Sequence, residues 1–174
     1  MIIVARYDVK LNEIFFIESK ETQCCPVCNN RLSGYDRRLR YGRDHNASRK
    51  SYMVRRLRCT SCNSIHTELP DFLIPRKHYT ADVIESQLDK RREDCPADDS
   101  TIYRWHWYYQ LFLPQVEAML QKIWCDVNQL HFPLLSSYSL LEKHRRFGSG
   151  WLTTVTQMIV NANLWQPTRF ACCP

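Results

Sequence analysis

The chain has 174 residues, of which 44% are hydrophobic and 12% aromatic, enough to fold around a core and too many for a disordered chain. No apolar run reaches the length of a membrane span, since "MIIVA" stops at Arg6 and "EIFFIES" is equally short, so no membrane partner is expected. The net charge is +6 and there are nine cysteines; without the charged, apolar and small-residue succession of a secretory signal, these are expected to be reduced thiols in a soluble, cytoplasmic and nucleoid-associated protein.

Residues 1–78 read as N-terminal strands leading into a zinc ribbon. Cys25, Cys28, Cys59 and Cys62 form two Cys-x-x-Cys pairs, in "QCCPVCNN" and "RCTSCN". A two-residue gap lets both thiolates of a pair face one ion, and four thiolates at about 2.3 Å close a tetrahedron with no open position. The expected cofactor is therefore structural Zn2+, standing in for a core that a small module lacks. Cys24 adjoins the first pair and could compete as a ligand. His66 could replace a cysteine, although "SIHTEL" reads as a strand with His66 on its surface.

Between the pairs, "RRLRYG" and "SYMVRRLRC" read as strands joined by the polar turn "DHNASRK". Alternation predicts Met53, Leu57 and Cys59 inward, with Val54, Arg56 and Arg58 on a basic face. Arg31, Arg37, Arg38, Arg40, Arg43, Arg49, Lys50, Arg55, Arg56 and Arg58 face only Asp36 and Asp44 within this stretch, so the rest of the chain is net acidic. Such segregation is expected of a phosphate-binding surface, and Arg37, Arg38, Arg40, Arg43, Arg49, Lys50, Arg55, Arg56 and Arg58 are its candidate contacts. The plainer alternative is a solvated hairpin kept soluble by its arginines.

Residues 79–174 read as an all-α domain after the connector "ELPDFLIPRKHY". Thr80 is expected to cap a helix over "ADVIESQLDKRRE" that turns Val83, Ile84 and Leu88 inward. After "DCPADD", Asp99 or Ser100 would cap a second helix, "STIYRWHWYYQLFL", with Ile102, Trp105, Tyr109 and Phe112 on one side. The pair, spanning about 80–112, predicts a helix-turn-helix in which Thr101, Tyr103 and Arg104 meet DNA and Arg104 reads guanine; an ordinary helical hairpin is the alternative. Pro114 is expected to start a further helix with an apolar stripe at Val116, Met119, Leu120, Ile123, Val127 and Leu130. A short helix follows in "YSLLEKHRRF", and a last one in "WLTTVTQMIVNAN" lines Leu152, Val155, Ile159 and Ala162 on one side. Stripes of this kind suit internal packing or a homodimer.

The succession "CPVC", "VRRLRCTSCNSIHTELPDFLIPRKHY", "STIYRW" and "WLTTVTQMIVNANLWQPTRFACC" resembles a bacterial family known only as a domain of unknown function, whose members often lie beside transposase genes. The ribbon portion also resembles zinc-ribbon heads of transposases. The resemblance implies a zinc-binding, DNA-associated role linked to mobile elements, with a transposase or other mobile-element protein as a partner. It implies no role for Cys24, Cys172 or Cys173.

No phosphate loop, carboxylate trio set in an αβ sheet, or His-x-x-Arg cluster is legible, and autonomous catalysis is not expected. The expected fold class is α+β, a small β zinc ribbon followed by an all-α domain with a helix-turn-helix. The expected function is DNA binding with structural zinc, accessory to or regulating a mobile element. The alternatives are an adaptor docking onto a nucleic-acid enzyme, and an RNA binder using Tyr35, Tyr41 and Tyr52 for stacking.

Overall fold

The structure, a computed structural model, describes residues 1–12 (for Asn12 the backbone), 14–91, 94–129 and 139–165. Leu130, Cys172, Cys173 and the closing "QPTRFACCP" lie outside the described residues. Six strands precede four helices: β1 (Ile2–Val4), β2 (Tyr7–Asn12), β3 (Ile14–Ser19), β4 (Leu32–Arg43), β5 (Arg49–Cys59), β6 (Ile65–Pro70), α1 (Ala81–Leu88), α2 (Asp99–Asn128), α3 (Leu140–Arg146) and α4 (Trp151–Asn161).

The strands join into one curled mixed sheet, ordered β1-β6-β5-β3-β2, with β4 on the other edge of β5. β5 organises it. Antiparallel β4 pairs with β5 from Arg49 to Cys59, while β3 pairs in parallel at Tyr52 and Met53 and β6 antiparallel at Arg56–Arg58. β1 closes the far side, parallel to β6. One strand shared among three partners obliges the sheet to curl, because β3 and β6 take successive stretches of the same edge.

The expected small ribbon followed by an all-α domain is overturned: the strands form the main body, and the cysteine-bearing hairpin is part of it. The reason is burial along β5. Tyr52 and Val54 sink into a core with Ile3 of β1, Ile17 of β3, Leu69 of β6, Leu73 and Val160 of α4. Val54 is therefore inside rather than on a basic face, while Met53 is half-buried and only Leu57 and Cys59 of the expected inward set are buried. Gly42 of β4 permits this closeness, since a Cβ there would stand 2.9 Å from Leu73 Cδ2.

The helices pack on one another and, through α4, on the sheet. Asn161 receives the Ile3 amide at 2.8 Å and donates to the Ile3 carbonyl at 2.9 Å, tying α4 to β1. Val83 and Ile84 are buried and Leu88 half-buried, as their spacing predicts. Thr80 precedes α1 but its hydroxyl goes to the Arg43 carbonyl, so it makes no side-chain cap.

The expected helix-turn-helix is corrected as well. The link between α1 and α2 runs from Asp89 to Asp98 rather than through a tight turn, and α2 is a single 30-residue helix. Pro114 lies inside α2 instead of starting a new helix. An interior proline costs about 3 kcal/mol. Packing offsets it: Tyr109, Leu113, Val116, Met119 and Leu120 on both sides of it share a core with Leu141, Trp151, Val155 and Ile159. Val127, expected in the stripe, is 75% exposed, and Ala162 is exposed too.

Two carboxylates, buried Glu85 and half-buried Glu117, organise the helix ends from a distance. Gly150 precedes α4 and has no side chain to cap it, so Glu85 of α1 accepts from the Gly150 and Leu152 amides at 2.7 and 2.8 Å. Glu117 of α2 likewise accepts from the Leu140 and Leu141 amides at the start of α3.

Candidate metal centre and basic surface

Cys25 and Cys28 flank the turn before β4, and Cys59 and Cys62 flank the turn after β5. The antiparallel register, with Leu32 opposite Cys59, brings the two turns together. Both turns end alike: Asn29 and Asn63 directly follow the second cysteine with φ of 58° and 59°. Asparagine tolerates this left-handed conformation better than most side chains. The Cys25 amide then reaches the Asn30 carbonyl at 2.8 Å and the Cys59 amide the Ser64 carbonyl at 2.9 Å. "CPVCN" and "CTSCN" thus hold a shared signal that the spacing of cysteines alone passes over.

The four Sγ atoms lie within 4.8 Å of one another, with Cys25–Cys62 at 3.6 Å and Cys28–Cys59 at 3.4 Å. Sulfurs bound tetrahedrally to one ion at about 2.3 Å stand roughly 3.8 Å apart, whereas a disulfide needs about 2.05 Å. The cluster fits a metal ion held by four thiolates. Cys25 and Cys59 are buried, Cys28 is half-buried and Cys62 is exposed. Burial pushes the Cys25 thiol up to about 11, while Ser64, through its hydroxyl and then its amide, brings Cys62 down to about 6.

Cys24 is exposed and lies outside the cluster. His66 is a correction: it is not a surface residue but 4% exposed, with Nε2 3.3 Å from the Cys25 sulfur. Burial lowers its pKa, favouring a neutral ring. Such a ring can donate to the sulfur from outside the ligand set, as partners around metal sites commonly do.

The basic residues divide by partner. Arg55 forms a two-bond pair with Glu68 at 2.7 and 3.1 Å, and Arg56 makes a similar fork with Asp36. Lys50 meets Asp44 at 2.7 Å, and Arg37 lies 3.8 Å from Glu18 and over the Phe16 ring. Glu18 and Glu68 come from outside the arginine-rich stretch, so its charge is more compensated than the local sequence suggests. Arg40 is half-buried, its Nε and Nη2 lacking hydrogen-bond partners among the described residues, and burial followed by the nearby Arg38 lowers its pKa.

Arg31, Arg38, Arg43, Arg49 and Arg58 are exposed, and no carboxylate among the described residues pairs with them. The Arg49 guanidinium lies 3.9 Å from the Tyr41 ring centroid, and Tyr35 is 50% exposed under Arg56. Tyr52, the third tyrosine expected to stack on bases, is instead in the core.

At the start of α2, Asp98 rather than Asp99 or Ser100 is the cap, accepting the Thr101 amide at 2.8 Å. Arg104 is held against its own helix, Nε to the Ser100 carbonyl at 3.2 Å and Nη2 to the Thr101 hydroxyl at 2.9 Å. Tyr103 is 71% exposed. Thr101 and Arg104 line a small concavity together with Arg76, Lys77 and His78 of the connector, residues that a search for motifs had no reason to select. This connector docks on the end of β4, where the Arg43 amide donates to the His78 carbonyl at 2.8 Å and the Thr80 amide to the Arg43 carbonyl at 3.0 Å.

Residues 25–105 match the family model of a domain of unknown function, DUF6431. The match starts at the first cysteine of the cluster and ends at Trp105, enclosing the four thiols, the hairpin, the connector and the start of α2. No curated protein and no solved structure matches the chain. Among the described residues, no helix is long and apolar enough to cross a membrane.

Proposed function

We propose that the chain is a DNA-binding protein whose cysteine cluster holds a structural zinc ion. The carrying observation is the group of five exposed arginines, Arg31, Arg38, Arg43, Arg49 and Arg58, borne on and beside one hairpin and without carboxylate partners among the described residues. Exposed guanidiniums are suited to phosphate oxygens, and each phosphate neutralised releases counterions. Zinc is favoured by the ligand chemistry, four thiolates in a closed tetrahedron. In this reading the ion fixes the open end of the hairpin, and His66 supports the Cys25 ligand from behind.

The reading assigns the chain an accessory or regulatory part in a mobile genetic element, beside a transposase rather than as the catalyst; that part rests on the family resemblance. Its test is fluorescence anisotropy with duplex DNA, single-stranded DNA and RNA at two salt concentrations. Replacing Arg38, Arg49 and Arg58 together with Ala should weaken binding to all duplex sequences and flatten the slope of log K against log salt by up to about 3 units. Wild-type protein that binds none of the three polymers at low salt overturns the proposal and favours a protein-docking role. A preference for RNA overturns the assignment to DNA.

A further inference from the structure

Two threonines of α4 place their hydroxyls differently. A helical threonine ordinarily bonds a carbonyl of the preceding turn, and Thr154, which is exposed, does so with Gly150 at 3.0 Å. Thr156 is only 4% exposed, and its hydroxyl makes no hydrogen bond among the described residues. A buried hydroxyl without a partner is costly and uncommon.

Thr156 lines a cavity of about 260 Å³ at the seam of two core clusters. Ile74, Ile84 and Trp105 belong to one cluster, and Leu141, Val155 and Ile159 to the other. Voids larger than a water molecule are few in protein interiors, so a space of this size exceeds ordinary packing slack. Two other polar groups on its wall are engaged elsewhere: Trp151 Nε1 donates to Asp89 at 2.8 Å, and the Tyr109 hydroxyl accepts from Arg145 at 3.1 Å. Trp165 is a second case like Thr156, since it lines the same cavity and its Nε1 is buried without a hydrogen-bond partner among the described residues. No carboxylate is among the described lining residues, and Lys77, the one charged side chain among them, lies 5.1 Å from the Tyr108 ring centroid.

We infer that this cavity binds a small neutral molecule with an apolar body and a carbonyl-type acceptor, to which the Thr156 hydroxyl donates. The walls are aliphatic and aromatic, and moving a charge out of water into such surroundings is unfavourable unless it is paired. The volume lies just under the roughly 300–1,000 Å³ of pockets for drug-sized ligands, which limits the molecule to about one or two rings. None of the five exposed hairpin arginines is among the described lining residues, so the inference stands independently of the nucleic-acid reading.

The test titrates the full chain with acetophenone, ethylbenzene and benzoate, which are similar in size and carry a carbonyl, no polar group and a charge, respectively. Methyl resonances of Leu141, Val155 and Ile159 are followed by NMR. Saturable shifts are expected with acetophenone at a dissociation constant about fivefold lower than with ethylbenzene, and none with benzoate. Thr156→Val keeps the shape of the side chain and should bind ethylbenzene as wild type does while losing the preference for acetophenone. Thr156→Ser retains the hydroxyl and should keep that preference, which separates recognition from a general loosening of α4. Methyls unmoved by all three probes overturn the cavity as a binding site. Equal wild-type affinity for acetophenone and ethylbenzene, or a preference that survives Thr156→Val, overturns the hydroxyl as the recognising group. Saturable binding of benzoate overturns the neutral class of ligand.

Discussion

Arg55 and Arg58 share a strand and a charge, but their surroundings set them different tasks. Arg55 lies on Glu68, whose side chain is 2% exposed, while its own is 33% exposed. Arg58 is exposed and has no carboxylate partner among the described residues. Removing Arg55 would leave Glu68 buried without a counter-charge, a loss of about 3 kcal/mol. We therefore expect Arg55→Ala to reduce the unfolding free energy in urea by about that amount, and Arg58→Ala to change it by less than about 0.5 kcal/mol while weakening DNA binding. Equal stabilities for the two variants would show that the Glu68 pair is not structural. Sequence reading grouped all these arginines as contacts because it counts charges along the chain. Glu68 reaches Arg55 only when β6 lies against β5, and nothing local to either residue announces that pairing.

At the scale of the element, α2 depends on a cap that titrates. Asp98 accepts from the Ser100 hydroxyl at 2.6 Å, the Thr101 amide at 2.8 Å and the Thr101 hydroxyl at 3.1 Å. The Ser100 hydroxyl above all, then the Thr101 amide, holds its carboxyl at about 2, below the ordinary 3.8. A depressed carboxylate contributes stability that is complete above its unfolded pKa and is lost as pH falls through the folded one. The thermal midpoint should accordingly drop by a few degrees more between pH 4 and pH 2 than in Asp98→Asn, which caps but cannot titrate. Wild-type and variant curves that run parallel over this window would remove Asp98 from the account. The existence of α1 and α4 was legible because periods near 3.6 survive in Val83, Ile84 and Leu88 and in Leu152, Val155 and Ile159, and the short helix in "YSLLEKHRRF" is present as α3. The union of two expected helices across Pro114 was not, since the packing that offsets the proline comes from α3 and α4, distant in sequence.

For the whole molecule, the decisive question is whether the metal proposed for the cysteine cluster would hold a separate module or one corner of a larger body. The four thiols and their closeness were legible, because Cys-x-x-Cys spacing is a local geometric requirement. The sheet around them was not. β1 and β3 contribute Ile3 and Ile17 from a region with no motif, and parallel pairing of β1 with β6 joins residues more than sixty positions apart. That architecture alters what losing the ion should do. Val54 stands five residues up β5 from Cys59, roughly 17 Å along a strand, and it is buried with Leu69 and Val160. A ribbon with no core of its own would unfold on chelation. Here the metal end should open while the core beneath it persists. After chelation, amide exchange should accelerate at Cys25–Leu32 and Leu57–Ile65, and the amides of Tyr52 and Val54 should remain protected in the same sample. Cys25→Ser or Cys59→Ser should reproduce that pattern with less than one bound ion per chain. Uniform loss of protection across β5 would instead mean that the sheet cannot stand without the ion, and that the core around Tyr52 and Val54 is too weak to hold β5 in place.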